Sequence, residues 1–116
     1  MIVGVQGTKT FSSYHIYMRS MAVAMSMMED GDNELFVYTA GPANINNYVA
    51  EFSNVTEDSL KARGIRIRFF KVPPQWILDN HSSLDYFIYL SRPKERLSSL
   101  ANKLDEAGIE IGHFQY

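Results

Sequence analysis

Cysteine is absent from this chain of 116 residues, which excludes a disulfide framework and any thiolate metal site and fits a reducing compartment. Long apolar runs are missing too, since no stretch approaches the ~20 residues needed to span a bilayer. Met1-Ile2-Val3-Gly4-Val5 is apolar but lacks the basic flank and small-residue cleavage site of a secretory signal. A cytoplasmic location is expected, with no membrane partner. An excess of charge is lacking as well. Net charge is −2 and the isoelectric point about 5.9. No sequence-wide positive field therefore exists to hold a phosphate backbone without a local patch, and nucleic acid is not the expected partner. Neither a dinucleotide fingerprint nor a P-loop is present, because Gly7 is not followed by the later glycines and no Gly-Lys-Ser/Thr occurs. His15, His81 and His113 stand far apart without a partner at ligand spacing. Each reads as a surface or capping residue, and no metal or cofactor is expected. Asn54-Val55-Thr56 fits a glycosylation sequon, but in a chain expected in the cytosol it carries no weight.

What is present is ordinary globular composition, 46% hydrophobic and 21% charged, in a length that suits one hydrophobic core, so residues 1–116 are read as one domain. Ile2-Val3-Gly4-Val5-Gln6 is a short β-branched strand that stops at Gly7. Ser12 or Ser13 then caps a helix in which Tyr14, Tyr17/Met18, Met21, Met25 and Met28 recur at helical spacing, ending near Glu29 to Asn33. Leu35 to Thr39 is a second strand. After Ala40-Gly41-Pro42-Ala43-Asn44, the spacing of Ile45, Tyr48/Val49 and Phe52 marks one helix or two, ending at Arg63-Gly64. Ile65 to Val72 alternates apolar and basic residues, the pattern of a strand with one wet face nearer a sheet edge, and Pro73-Pro74 stops it. Gln75 to Ser83 reads as a loop or short helical turn, and Asp85 to Leu90 as a buried strand. Ser91 as cap, Pro93 in the first turn, Leu97, Leu100, Ala101 and Leu104 on one face, and Gly108 past the end predict a further helix. Ile109 to Phe114 supplies a final strand. The pattern βα-βα-β-βα-β predicts an α/β, three-layer Rossmann-like sandwich around a mostly parallel five-stranded sheet.

In such sheets ligands bind outside the carboxyl ends of the strands, where helix N-termini favour anions. Four loops converge there: Gly7 to Ser13, Ala40 to Asn47, Pro73 to Trp76, and Ser91 to Lys94. Gly7-Thr8-Lys9-Thr10-Phe11-Ser12 offers a glycine for close approach, hydroxyls, and one lysine as a point charge, residue types suited to a phosphate or ribose phosphate. The same residues also serve turns and caps. Trp76 is either a base-stacking platform or a plug over the core. Glu95 and Asp79 are the only carboxylates near the loops, and Glu95 reads as favourable charge at a helix N-terminus. Arg66 and Arg68 suit a solvated strand face better than a grip on an acidic partner. The methionine stripe suits core packing, though such faces also bind partners.

Gly7-Thr8-Lys9-Thr10-Phe11 directly after the first strand resembles the Gly-Ser-Arg-x-Phe opening of the YspA-like, SLOG-type Rossmannoid family. In that family a second strand leads to a glycine-rich phosphate loop and a Trp follows a Pro after the third strand. The counterparts here are Ala40-Gly41-Pro42-Ala43-Asn44 and Pro73-Pro74-Gln75-Trp76, so the resemblance covers about residues 2 to 90. It implies binding, or occasionally cleavage, of a nucleotide-derived small molecule. The second loop keeps one glycine, Gly41, where the family has several, and no Arg-Asn-bearing helix precedes Asp85.

The expected function is therefore non-catalytic binding of a nucleotide-type small molecule. Its expected ligand residues are Gly7, Thr8, Lys9, Thr10, Phe11, Ser12, Gly41, Pro42, Asn44, Trp76, Ser91 and Arg92. Two alternatives stay open: a hydrolase of a nucleotide N-glycosidic or phosphate bond, and a protein-interaction or self-assembling domain of the viral-accessory kind. The latter would use the aromatic and Met surface for a homo-oligomer or another protein.

Overall fold

A computed structural model describes residues 1–116 and resolves the alternating pattern into β1 (Ile2–Gly7), α1 (Tyr14–Met25), β2 (Glu34–Thr39), α2 (Ala43–Ala62), β3 (Arg66–Lys71), α3 (Pro74–Asp79), β4 (Tyr86–Ser91), α4 (Ser99–Glu106) and β5 (Ile111–Gln115). One 3-10 turn, His81–Ser83, lies between α3 and β4. All five strands are parallel, in the order β3-β2-β1-β4-β5. The chain thus winds outward from β1 to β3, crosses back through α3, and winds the other way through β4 and β5. The architecture is the expected α/β Rossmann-like sandwich.

Each face of the sheet has its own core because successive side chains of a strand point to opposite sides. Val3, Val5, Leu35, Val37, Ile88 and Leu90 meet Tyr17, Met21, Ile45, Val49 and Phe52 from α1 and α2. On the other face Phe87 and Tyr89 meet Ile77 of α3 and Leu100, Ala101 and Leu104 of α4. All six residues of β4 are buried, as befits a strand covered on both sides, whereas β3 at the sheet edge exposes Arg66, Arg68, Phe70 and Lys71. No helix is long and apolar enough to cross a membrane.

Three boundaries differ from the sequence reading, and the choice between one helix and two after β2 resolves to one. Helix α1 stops at Met25, because Met27 and Met28 donate to carbonyls three residues back, and Glu29 and Asp32 then close a separate turn on each other. Helix α2 is continuous over 20 residues. Strand β5 begins two residues later than expected, at Ile111, since Ile109 still caps the end of α4 by donating to the Leu104 carbonyl. The largest correction concerns α4, which begins at Ser99 under a Ser98 cap. Ser91 cannot cap a helix here because it is the last rung of β4, paired with Gln115. Lys94, at φ 72°, then takes a left-handed conformation that no α-helix accommodates.

Candidate functional site

The strand order reverses between β1 and β4, and the loops that leave their carboxyl ends diverge to opposite faces of the sheet. The β1 loop is fastened from both sides. Gly7 donates its amide to the Gly41 carbonyl (3.1 Å), and Thr8 donates to Leu90 (2.9 Å). From the first turn of α2, Asn44 Nδ2 donates to the carbonyls of Thr8 (3.1 Å) and Phe11 (2.9 Å). Asn44 thereby braces the loop from behind, and the amides of Gly7 and Thr8 are engaged within the protein.

What the loops present is the carboxylate of Glu95. It accepts from Thr8 Oγ1 at 3.1 Å, Thr10 Oγ1 at 2.9 Å and the Arg92 backbone amide at 2.6 Å. The Arg92 amide, followed by the hydroxyls of Thr10 and Thr8 and the Arg92 charge, holds the carboxyl below the ordinary carboxylate range against an opposing effect of desolvation. Residues far apart in sequence thus converge on one ionised group. Close by, Ser98 donates to Gln6 Oε1 at 2.5 Å while capping α4 by accepting from the Ala101 amide. Burial, with Glu95's charge behind it, raises the Tyr89 phenol, so it remains a protonated group at neutral pH. Ser91 Oγ lies 2.7 Å from His113 Nε2, and burial lowers the His113 imidazole toward its neutral form. Ser91 is fully buried, so this pair ties the end of β4 to β5.

Of the residues singled out in the sequence, Thr8, Thr10 and Arg92 gather around Glu95. Gly7, Gly41 and Asn44 form the scaffold behind them. Lys9 and Ser12 are exposed. Pro42 precedes α2 and offers no capping side chain. Phe11, 1% exposed, belongs to the core, with its ring edge-on to Tyr48. Trp76, half-buried, stacks on Tyr38 with ring centroids 4.5 Å apart and packs on the core beneath α3 and α4. Glu95 is not at a helix N-terminus, as its sequence position suggested, but in the turn ahead of α4. Gln6, Tyr89 and Ser98 escaped the sequence reading, and His113, read there as a surface or capping residue, was not linked to Ser91. Ser98 alone carried a signal, being a serine directly before the periodic Leu100, Ala101 and Leu104.

Elsewhere, Met21 is buried while Met18 and Val23 remain exposed on α1 and Met27 in the turn that follows it. No cluster of three His, Asp or Glu side chains forms a metal-binding set. Two hollows of the surface lie along β3. No protein-family model matches the chain, and no curated protein or solved structure matches it.

Proposed function

We propose that this domain binds, without transforming it, a small nucleotide-derived ligand at the carboxyl ends of β1 and β4. The observation that carries the reading is the Glu95 carboxylate, kept ionised and oriented at the strand-order reversal by Thr8, Thr10 and the Arg92 amide. An acidic side chain in this position of a doubly wound sheet suits the hydroxyls of a ribose, which donate hydrogen bonds to it. Exposed Lys9, between Thr8 and Thr10 in the β1 loop, supplies a point charge for a phosphate. The resemblance of Gly7 to Phe11 to the SLOG opening supports the same ligand class. A carboxyl held below its ordinary range is ionised at neutral pH and has no proton to give, which favours binding over acid catalysis.

The test is a thermal-shift screen of nucleosides, nucleotides and cyclic nucleotides. A ribose-bearing ligand at saturating concentration raises the melting temperature, an effect worth about 2.7 kcal/mol at a hundredfold excess over Kd. Glu95→Gln reduces the shift for every ligand in the series, and Lys9→Ala reduces it only for the phosphorylated ones. Absence of a shift with all ligands rejects the reading.

A further inference from the structure

Between Ser59 and Leu78 the chain carries five basic residues, Lys61, Arg63, Arg66, Arg68 and Lys71, and no acidic one. That stretch ends α2 and forms β3, the free edge of the sheet. Both principal hollows lie along this edge and share Glu57, Ile67 and Arg68, making one groove. Its larger part, about 590 Å³, is bounded by Lys61 of α2 and by Gly64 to Arg68. Its smaller part reaches Phe70.

Aromatic rings lead to the same edge. Trp76 stacks on Tyr38 (4.5 Å, 21°), and Tyr38 stacks on its cross-strand neighbour Phe70 (5.0 Å, 20°). Phe70 ends the row at the rim, 40% exposed, with Phe36 beside it at 6.4 Å. Alternation along β3 puts Arg66, Arg68 and Phe70 on one face, and Arg68 lies opposite Phe36. The charge pattern decides among occupants. A second copy pairing antiparallel along β3 would bring the arginines of the two edges together, the arrangement by which edge strands discourage self-association. The basic residues of this edge suit an anionic occupant. A planar group that extends the Trp76-Tyr38-Phe70 stack suits this rim better than an acidic peptide, which brings charge without rings.

We propose that the β3 edge binds single-stranded nucleic acid, with phosphates along Lys61, Arg66 and Arg68 and a base on the open face of Phe70. Base stacking on an aromatic ring beside a basic track is the usual means of holding single strands without reading sequence. The overall charge of −2 does not oppose this, because the positive residues are gathered on one edge. Glu34, opposite Arg66, and Glu57, in the groove wall, are the carboxylates facing the track; they moderate its field and make binding weak and salt-sensitive.

Fluorescence anisotropy of a short labelled single strand, DNA or RNA, at low salt provides the test. Saturable binding is expected, with a slope of log affinity against log salt of about −2 if roughly three phosphates are engaged. Arg68→Glu should weaken binding at least tenfold and Phe70→Ala about fivefold or more, while Lys103→Ala on α4 changes nothing. Circular dichroism shows that each variant is folded. Three results overturn the proposal: no binding at low salt, binding indifferent to both Arg68→Glu and Phe70→Ala, or displacement by poly-glutamate as effective as by an unlabelled single strand. The last would mark the edge as a site for acidic peptides.

Discussion

Gly7 and Gly41 both stand in the loops that follow β1 and β2, yet they are glycine for different reasons. A Cβ on Gly7 would sit 2.7 Å from Ile45 Cδ1 and 2.7 Å from the Leu90 carbonyl oxygen, and the backbone partner cannot move aside. Gly41 has open space around it but a φ of +83°. Gly7→Ala should therefore cost about 1–3 kcal/mol through overpacking and Gly41→Ala about 1–2 kcal/mol through backbone strain. Urea denaturation measures both, and opening space near Gly7 by Ile45→Val, which removes the Cδ1 methyl, should recover part of the loss only for Gly7→Ala, because the Leu90 carbonyl contact remains. The fully buried Tyr17 offers a converse case. Its hydroxyl has no hydrogen-bond partner, and burial raises its ionisation far above the ordinary tyrosine range. Tyr17→Phe removes an unsatisfied donor while keeping the ring stacked on Tyr48 and edge-on to Phe52. The variant should be as stable as the parent or more so, by up to about 1 kcal/mol, in the same denaturation experiment.

At the scale of elements, the segment from Ser91 to Ser98 shows where sequence reasoning reaches its limit. A serine followed by a proline two residues on and by a leucine period has every local mark of a helix start. The tertiary demand of β4, which pairs Ser91 with Gln115 and binds its hydroxyl to His113, overrides them. The seven residues released from the helix are what carry Glu95 to Thr8 and Thr10. A prediction confined to local spacing could name Glu95 but not its role, since its threonine partners lie 85 or more residues away. The strands were legible because burial writes a two-residue period or a solid apolar run, and the edge position of β3 because only an edge tolerates Arg66 and Arg68. Truncating the true cap tests the revised boundary. Ser98→Ala deletes the bond to the Ala101 amide and the bond to Gln6. It should cost about 1 kcal/mol or somewhat more, whereas Pro93→Ala, outside the helix, should leave helix content unchanged by circular dichroism.

For the molecule as a whole, two polar ties hold the β1–β4–β5 half of the sheet, one across the reversal in strand order and one beyond it, and they respond to pH with the same sign. Glu95 joins the β4 loop to the β1 loop, and His113 joins β5 to the end of β4. Burial lowers the His113 imidazole below its ordinary 6.5, so between that value and its lower native one the unfolded chain binds a proton that the folded chain does not. Stability from this group is complete above pH 6.5 and falls as the pH drops through that window. Glu95 is lowered from an ordinary 4.5, so its contribution is complete above that value and is lost further into acid. Acid should accordingly loosen the β1–β4–β5 half of the sheet in two stages, the first from His113 and the second from Glu95. Melting temperatures measured from pH 8 to pH 3.5 should decline first just below 6.5 and again below 4.5. His113→Gln removes the first decline while leaving the second, and Glu95→Gln does the reverse; a profile that neither substitution alters would mean that the acid sensitivity resides in other groups.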